Sequence, residues 1–395
     1  MMMTVGENME TVLCAVGDVM VDRDDPPGIW THVDDLLRAA DLRVGNLEGC
    51  FTDRTTQAVS THGKVTPALR NLSALPGMFD LVTGANNHIL DGGHEGMLDT
   101  LDELHRLSIA TCGFGRTLDE ARKPAILERN GIRFAFLGYS SVFPIGYQAR
   151  ATVPGLVPIR AHTIYHVDND FHAPGWPPDI TTVPYEEDLA ALRADIAAAR
   201  AEADVVIGQF HWGEANRPAV LLEYEHAIAR AAIDAGMDVV LGHHHHEIRG
   251  VEFYRDKPIF HGLGLFAFDL HGLLDRATPG MIEAWRKKYG EYGMWPREGW
   301  PMLPMHPDAR LTMLAYLRFD GDRLTDVGFV PCTMTPDGRV MPRRLDSPEG
   351  TQVVDYLRQV TADEGLPTSY RPLTGRQLGG FDVMGVLPAT AATPG

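Results

Sequence analysis

Asp238-Val239-Val240-Leu241-Gly242-His243-His244-His245-His246 is the stretch from which the fold can be read. Its apolar run, Val239 to Leu241, reads as a short buried strand. The run stops at Gly242 and delivers four histidines at once. In α/β sheets ligands sit beyond the carboxyl ends of the strands, so side chains presented there are candidates for a site. In an extended segment, imidazoles with one residue between them share a face. Such a pair can hold one metal ion, or one ion each of a metal pair. A run of histidines also reads as an affinity tag, but tags sit at termini and this run follows a strand in mid-chain.

The same arrangement recurs along the chain. Residues 11–16 (Thr-Val-Leu-Cys-Ala-Val) form an apolar strand that ends at Gly17-Asp18. Residues 41–44 deliver Gly45-Asn46-Leu47-Glu48, and residues 79–82 deliver Gly84-Ala85-Asn86-Asn87-His88 followed by Asp91-Gly92-Gly93. Residues 204–210 deliver His211-Trp212-Gly213-Glu214. One carboxylate or Asn after a strand is ordinarily a cap or a turn. Five strands in series, each ending in a metal-capable residue, are hard to explain as caps. Mixed carboxylate, Asn and imidazole donors suit Mn, Fe or Zn, and Ca or Mg where imidazoles are fewer. A carboxylate can bridge two ions about 3.5–4 Å apart.

Composition bounds the alternatives. The chain has 395 residues and a net charge of −18, enough length for a large core and the wrong sign for nucleic acid. Its four cysteines, Cys14, Cys50, Cys112 and Cys332, share no C-x-x-C spacing, which leaves a thiolate zinc site or redox motif unsupported and fits a reducing compartment. No apolar run approaches the ~20 residues of a membrane span, and residues 1–10 lack the basic start of a secretory signal. A cytoplasmic protein without membrane or nucleic-acid partners is expected.

Between the strands, apolar spacing predicts helices over residues 30–40, 68–75, 94–107, 186–202 and 218–235, the last with Pro218 in its first turn, and one near 347–360. Strands are expected at 132–139 and over 257–268, and a hairpin at 311–330 around Asp320-Gly321-Asp322-Arg323. Residues 140–184 are proline-rich without periodicity, and 270–307 are irregular and aromatic. Both read as loop insertions that could wall a pocket. Phe143, Tyr147, Tyr165, Phe171 and Trp176 could line a groove or merely staple the first loop, and the tail after residue 389 reads as frayed. The expected organisation is one catalytic domain over 11–335 and a C-terminal extension over 336–395.

The set Gly17-Asp18-Val19-Met20, Asn46-Leu47-Glu48-Gly49, Ala85-Asn86-Asn87-His88 with Asp91 and Gly93, His211-Trp212-Gly213, Gly242 to His246, and Gly262-Leu263-Gly264 through Asp269 resembles the metallophosphatase superfamily. It is closer still to the CapA-like branch, named for poly-γ-glutamate capsule proteins. The resemblance covers roughly residues 11–270. It implies an α/β fold, a four-layer αββα sandwich of two sheets flanked by helices, with two divalent metals (Mn, Fe, Zn or Ca) at the strand ends and no organic cofactor. Carried over by position, it implies Asp18, Glu48, Asn87, His211, His244 and His246 as metal ligands. The branch has Gly-His-His-Pro-His at the run, so His245 stands where its proline would be and His243 is left to back the site or face substrate. His88 is implied as general acid/base, with Asp91 orienting it. The chain departs from the branch at Leu265, where Asn is usual, and beyond Glu214, where an acidic residue is usual. These departures border the pocket and imply a different substrate.

Soluble members of the branch include enzymes resembling the epimerases of lasso-peptide pathways. The resemblance therefore implies a metal-dependent isomerase that inverts a Cα near the end of a ribosomally made peptide, with a peptide substrate and a leader-binding protein as partners. Glu214, His243 and His261 are the candidates for a second acid/base. The superfamily's own default is hydrolysis of a phosphoester or of a γ-glutamyl amide.

Overall fold

A computed structural model describes residues 10–59, 63–166, 178–270 and 277–389. Most of its strands fall into two large sheets. The first has ten strands, and its main path runs Thr368–Leu378, Phe381–Pro388, Arg323–Met334, Leu311–Asp320, Glu10–Met20, Leu42–Leu47, Leu81–Thr83, Ala110–Cys112. The second has six, in the order Val251–Tyr254, Lys257–Phe260, Val239–His243, Val205–His211, Ile132–Ser140, Ala125–Arg129.

Side-chain alternation assigns each strand to two cores. Leu13 and Ala15 pack with Phe134, Phe136, Val205, Ile207, Val239 and Leu241, which places the two sheets face to face. Their neighbours Cys14 and Val16 point the other way, into a cluster with Met97, Leu101 and Leu104 of the helix Gly93–Arg106. Ala135, Leu137, Val206 and Val240 pack against Leu192 and Ile196 of Glu186–Glu202 and Ile228 and Ala229 of Glu223–Asp234. The layers are thus helices, sheet, sheet, helices: the four-layer αββα sandwich that the resemblance implies. Each fully buried Leu, Ile, Val or Phe in these cores contributes about 1.5–3 kcal/mol.

The expected single strand over 257–268 is instead two, one in each sheet. Lys257–Phe260 pairs with Val239–His243, and Leu265–Phe268 pairs with Glu10–Met20. Residues 261–264 cross between the sheets and bind both edges by backbone. Asp18 N donates to Gly264 O at 2.9 Å, and Leu263 N donates to Gly242 O at 3.0 Å. Glycine is required where the edges meet this strap. A Cβ on Gly17 would lie 1.8 Å from Gly264 O, and one on Gly242 would lie 1.9 Å from His261 O.

Other expectations need correction. The helix expected from 218 begins at Glu223, and Pro218 lies outside it. Its start is fixed by side chains: Leu222 N donates to Glu225 Oε1 at 2.7 Å, and Tyr224 N donates to Thr182 Oγ1 at 3.1 Å. Residues 140–184 contain an antiparallel hairpin, Ala161–His166 with Asp179–Pro184, while Phe171 and Trp176 lie outside the described residues. The helices expected at 30–40 and 68–75 are mostly tighter 3₁₀ turns, Pro27–Trp30 and Leu69–Ala74, with a single α-turn at Asp34–Arg38. The C-terminal extension expected over 336–395 packs against the preceding residues as far as it is described. Phe381–Pro388 hydrogen-bonds to Arg323–Met334, and Pro348–Asp363 puts Val353, Val354, Leu357 and Val360 into the inter-sheet core. Residues 390–395, read as a frayed tail, lie outside the described residues.

Gly17→Ala is expected to destabilise the protein by about 1–3 kcal/mol, because a backbone carbonyl has to move to admit the methyl group. Gly280→Ala is the control: its position in the helix Pro279–Tyr289 is open on all sides, and helix propensity favours the change. Urea denaturation midpoints compare them, and an unchanged Gly17→Ala midpoint would contradict the close approach.

Candidate metal centre

Asp18, Glu48 and His211 reach the site from parallel strands or the residues just after them, so their positions follow from sheet register. Asp18 pairs with Asn46 across the strands, and His211 pairs with His243. Asp18 is completely buried, and Glu48 and His211 are 1 % exposed. His243 is the last residue of its strand. The next three histidines do not continue an extended segment. His244 has φ +91° and His246 φ +64°, left-handed conformations that are costly for residues with a Cβ. The expected alternation therefore fails, and a strained turn brings His244 and His246 to one site.

Two donor sets form there, each with its ligand atoms within 4.8 Å of one another: Glu48, His211 and His244; and Asp18, Glu48 and His246. Glu48 belongs to both. His246 Nε2 lies 3.4 Å, His211 Nε2 3.9 Å and His88 Nε2 4.0 Å from Glu48 Oε1. Asn87 Oδ1 is 2.6 Å from His211 Nε2, which places it beside the first set.

Whether these residues fit a metal pair can be tested on their polar atoms. Glu48 Oε2, His244 Nδ1 and His246 Nδ1 are buried without a hydrogen-bond partner. Burial, and then neighbouring imidazoles, hold His211 and His244 well below the ordinary histidine range, so both are neutral as ligands must be. Burial opposes charge on Asp18, but the His243 imidazole, His246 and the Asn46 amide outweigh it and hold the carboxyl low. Burial and the nearby Asp18 raise Glu48. A bridging carboxylate between two borderline cations answers this donor set, with imidazole and Asn oxygen completing each side.

Asn46 and Asn86 extend the framework, although residue type alone assigns them no role. Asn46 Nδ2 donates to Asp18 Oδ1 at 2.8 Å, and Asn86 Nδ2 donates to Asn46 Oδ1 at 3.0 Å and to Leu47 O at 2.8 Å. Both lie within two residues of a candidate ligand in sequence, and their one signal is an amide buried at a strand end.

His88 stands on the cavity side. Its Nδ1 is 2.7 Å from Asp91 Oδ2, which also accepts from Val65 N at 2.7 Å. Tyr147 OH donates to Asp91 Oδ1 at 2.8 Å. Burial pushes the His88 imidazole down, and the Asp91 carboxylate more than reverses it, so the net shift is upward. Tyr147 is thus a staple for the 140–184 segment through Asp91.

The cavity above these groups holds about 650 Å³. Glu48, Asn87, His88, His244 and His246 form its polar floor, and Glu214 and Arg217 form part of its rim. Trp285, Lys288 and Tyr289 come from the helix Pro279–Tyr289, with Phe268, Leu270, Met294 and Met305 completing an apolar wall. The 270–307 insertion therefore does wall the pocket, while Phe143, Tyr147 and Tyr165 do not line it. Of the candidates for a second acid/base, Glu214 lines the cavity and pairs with Arg217 at 2.5 Å. His243 is 1 % exposed, with Nδ1 3.6 Å from Asp18 Oδ1, and it faces that carboxylate instead of the cavity. His261 is fully buried in a different cluster.

Burial lowers the His246 imidazole, but the Glu48 carboxylate outweighs it by charge and hydrogen bond and lifts it to about 9. A ligating imidazole cannot keep that proton. Metal loading at neutral pH is expected to release it, and apparent affinity is expected to rise with pH until about 9. Calorimetry in buffers of different ionisation enthalpy measures the release. Loading that releases no proton would remove His246 from the ligand set.

The model of the family described as bacterial capsule synthesis protein PGA_cap matches residues 12–270. The PGA biosynthesis protein CapA of Bacillus subtilis (strain 168) is 29% identical over 293 residues, 70% of this chain and 67% of that protein. A probable polyglutamine synthesis accessory protein of Mycobacterium tuberculosis (strain ATCC 25618 / H37Rv) is 32% identical over 246 residues, 60% of this chain and 57% of that protein. The capsule biosynthesis protein CapA of Bacillus anthracis is matched over 61% of its length, so the chain spans about three-fifths to two-thirds of these relatives. Among solved structures, a hypothetical protein from Thermus thermophilus aligns with TM-score 0.44 and 16% identity, covering 81% of this chain and 98% of that one. No helix among the described residues is long and apolar enough to cross a membrane. With the family model matching residues 12–270, well over half its length, the chain belongs to the bacterial capsule synthesis protein family PGA_cap.

Proposed function

We propose that this chain is a metal-dependent isomerase that inverts a Cα near the end of a peptide, of the lasso-precursor kind, by general acid/base chemistry. The observation that carries the reading is His88, aligned by Asp91 and Tyr147 beside Glu48 and facing a cavity with one polar floor and one apolar wall. Bound at Asp18, Glu48, Asn87, His211, His244 and His246, two divalent ions would supply Lewis acidity toward a carboxylate or carbonyl and so acidify the adjacent Cα–H. His88 Nε2 then takes or returns the proton, and Asp91 holds the ring and offsets the charge it gains. Glu214, which lines the same cavity, is the candidate for the second acid/base; to act as base it has to leave Arg217. Trp285, Tyr289 and the methionines exclude water and seat an apolar side chain.

A second reading, hydrolysis of a γ-glutamyl amide or a phosphoester, is favoured by two observations. His88 is placed equally well to protonate a leaving group, and two of the relatives carry names tied to PGA or polyglutamine synthesis. The soluble cytoplasmic setting and a leader-binding partner belong to the first reading.

Incubation with candidate peptides in deuterium oxide separates the two readings. Deuterium gained at one Cα without cleavage is the expected result; cleavage or fast turnover of a chromogenic phosphodiester without exchange would replace the first reading with the second. In either case His88→Ala and Asp91→Asn are expected to keep their metals and lose about 10²–10⁴-fold in rate. Metal content and kcat are measured side by side. Loss of metal from His88→Ala would make His88 a ligand instead.

A further inference from the structure

A second histidine-carboxylate cluster lies outside the cavity, on the helix side of the second sheet. His226 and Arg230 are on the helix Glu223–Asp234, Glu252 on the strand Val251–Tyr254, and His261 is the first residue of the strap between the sheets. His226 Nδ1 lies 3.0 Å and His261 Nε2 3.1 Å from the same oxygen, Glu252 Oε2. The three donor atoms all fall within 4.8 Å of one another, and the two rings meet edge-on with centroids 4.9 Å apart.

We propose that His226, Glu252 and His261 form a third metal site, separate from the dinuclear centre, for a zinc-type divalent cation. Two imidazoles and one carboxylate are a recurrent three-donor set for zinc, with water in the fourth position. Donors about 2.0–2.1 Å from a tetrahedral ion stand about 3.3–3.4 Å apart. The carboxylate already has its nitrogens at 3.0 and 3.1 Å, so small displacements admit an ion. Arg230 holds the other oxygen, Glu252 Oε1, at 2.6 Å. That is the role an outer partner takes toward a ligating carboxylate, fixing its orientation. Glu252 is 4 % exposed and His261 fully buried, while the His226 side chain is 26 % exposed and opens the cluster to solvent.

The position gives the site a consequence. His261 O accepts from Trp212 Nε1 at 3.0 Å and would lie 1.9 Å from a Cβ on Gly242. An ion held here fastens the start of the strap to the helix Glu223–Asp234. It would act as a structural pin behind the His243–His246 run, outside the reaction.

The test counts zinc. Protein is stripped with chelator, desalted and loaded with Zn(II) alone, and bound zinc per chain is measured by plasma mass spectrometry. Wild type is expected to bind one equivalent more than His226→Ala or Glu252→Gln, with the third equivalent raising Tm in wild type only. This difference is independent of the dinuclear centre: if that centre bound no zinc, the counts would fall to one and zero and the difference would remain. Equal stoichiometry in wild type and His226→Ala would overturn the proposal and leave the cluster a hydrogen-bonded network. Should the variants fail to fold, anomalous scattering at the zinc edge from loaded wild-type crystals decides, since a peak bounded by Glu252 and His261 supports the site and its absence overturns it.

Discussion

An ionised carboxylate taken out of water has to be paired, hydrogen-bonded or coordinated, and Glu48 is the residue on which this demand falls hardest. It is 1 % exposed, its Oε2 has no hydrogen-bond partner, and its Oε1 faces imidazoles of His246, His211 and His88. Those imidazoles come from different parts of the chain. His88 follows a strand of the first sheet; His211 and His246 belong to the second. Glu48 can be accommodated only if the carboxyl edges of both sheets are held together. The strap at residues 261–264 does this with two backbone hydrogen bonds and a pair of glycine contacts, and the inter-sheet core of Leu13, Phe136, Val239 and their neighbours supports it.

Much of this is legible in the sequence because a buried parallel strand leaves a simple trace: a short apolar run, a glycine, and then polar residues at the site. Asp18, Glu48, Asn87, His88 and His211 each carry that trace and meet in space. What the trace does not contain is the partner of each strand. Residues 257–268 are apolar nearly throughout, so nothing in their pattern marks the change of sheet at Gly262 and Gly264. The turn at His244 to His246 escapes the sequence for a related reason. Its geometry depends on two positive φ values that no propensity favours, and tertiary contacts enforce them. The C-terminal strands are half-exposed, so their alternation is weak, and their place at the edge of the first sheet comes from pairing with Arg323–Met334.

The histidines of this chain illustrate how position divides labour among identical side chains. His243 completes a strand and faces Asp18. His244 and His246 reach the cavity floor. His245 turns the other way, its Nε2 3.1 Å from Glu225 Oε2, where burial has raised the carboxyl to about 7. The resemblance to the CapA-like branch implies a proline at this position, which offers neither a proton nor a charge. Arg249, fully buried, donates to Arg217 O at 2.5 Å and so connects the segment after the run to the rim of the cavity. The run is therefore a hinge between two polar regions, one facing the cavity and one packed behind it.

Under the proposed isomerisation, inversion at a carbon needs proton exchange on both of its faces, and this requirement bears on the choice of residues more sharply than any motif. His88 is delivered by the first sheet, so a counterpart from the second sheet that lines the cavity is the residue to look for. His243 meets the requirement of sheet but is sealed beneath Asp18; His261 is sealed within its own cluster. Glu214 meets both conditions, since it follows the strand Val205–His211 and lines the cavity, and its partner Arg217 sits on the same rim. The Glu214–Arg217 pair is half-exposed and three residues apart, a geometry worth less than about 1 kcal/mol. So weak a pair opens at little cost, and under the proposed reading a peptide carboxylate competing for Arg217 would free Glu214 only when substrate is present.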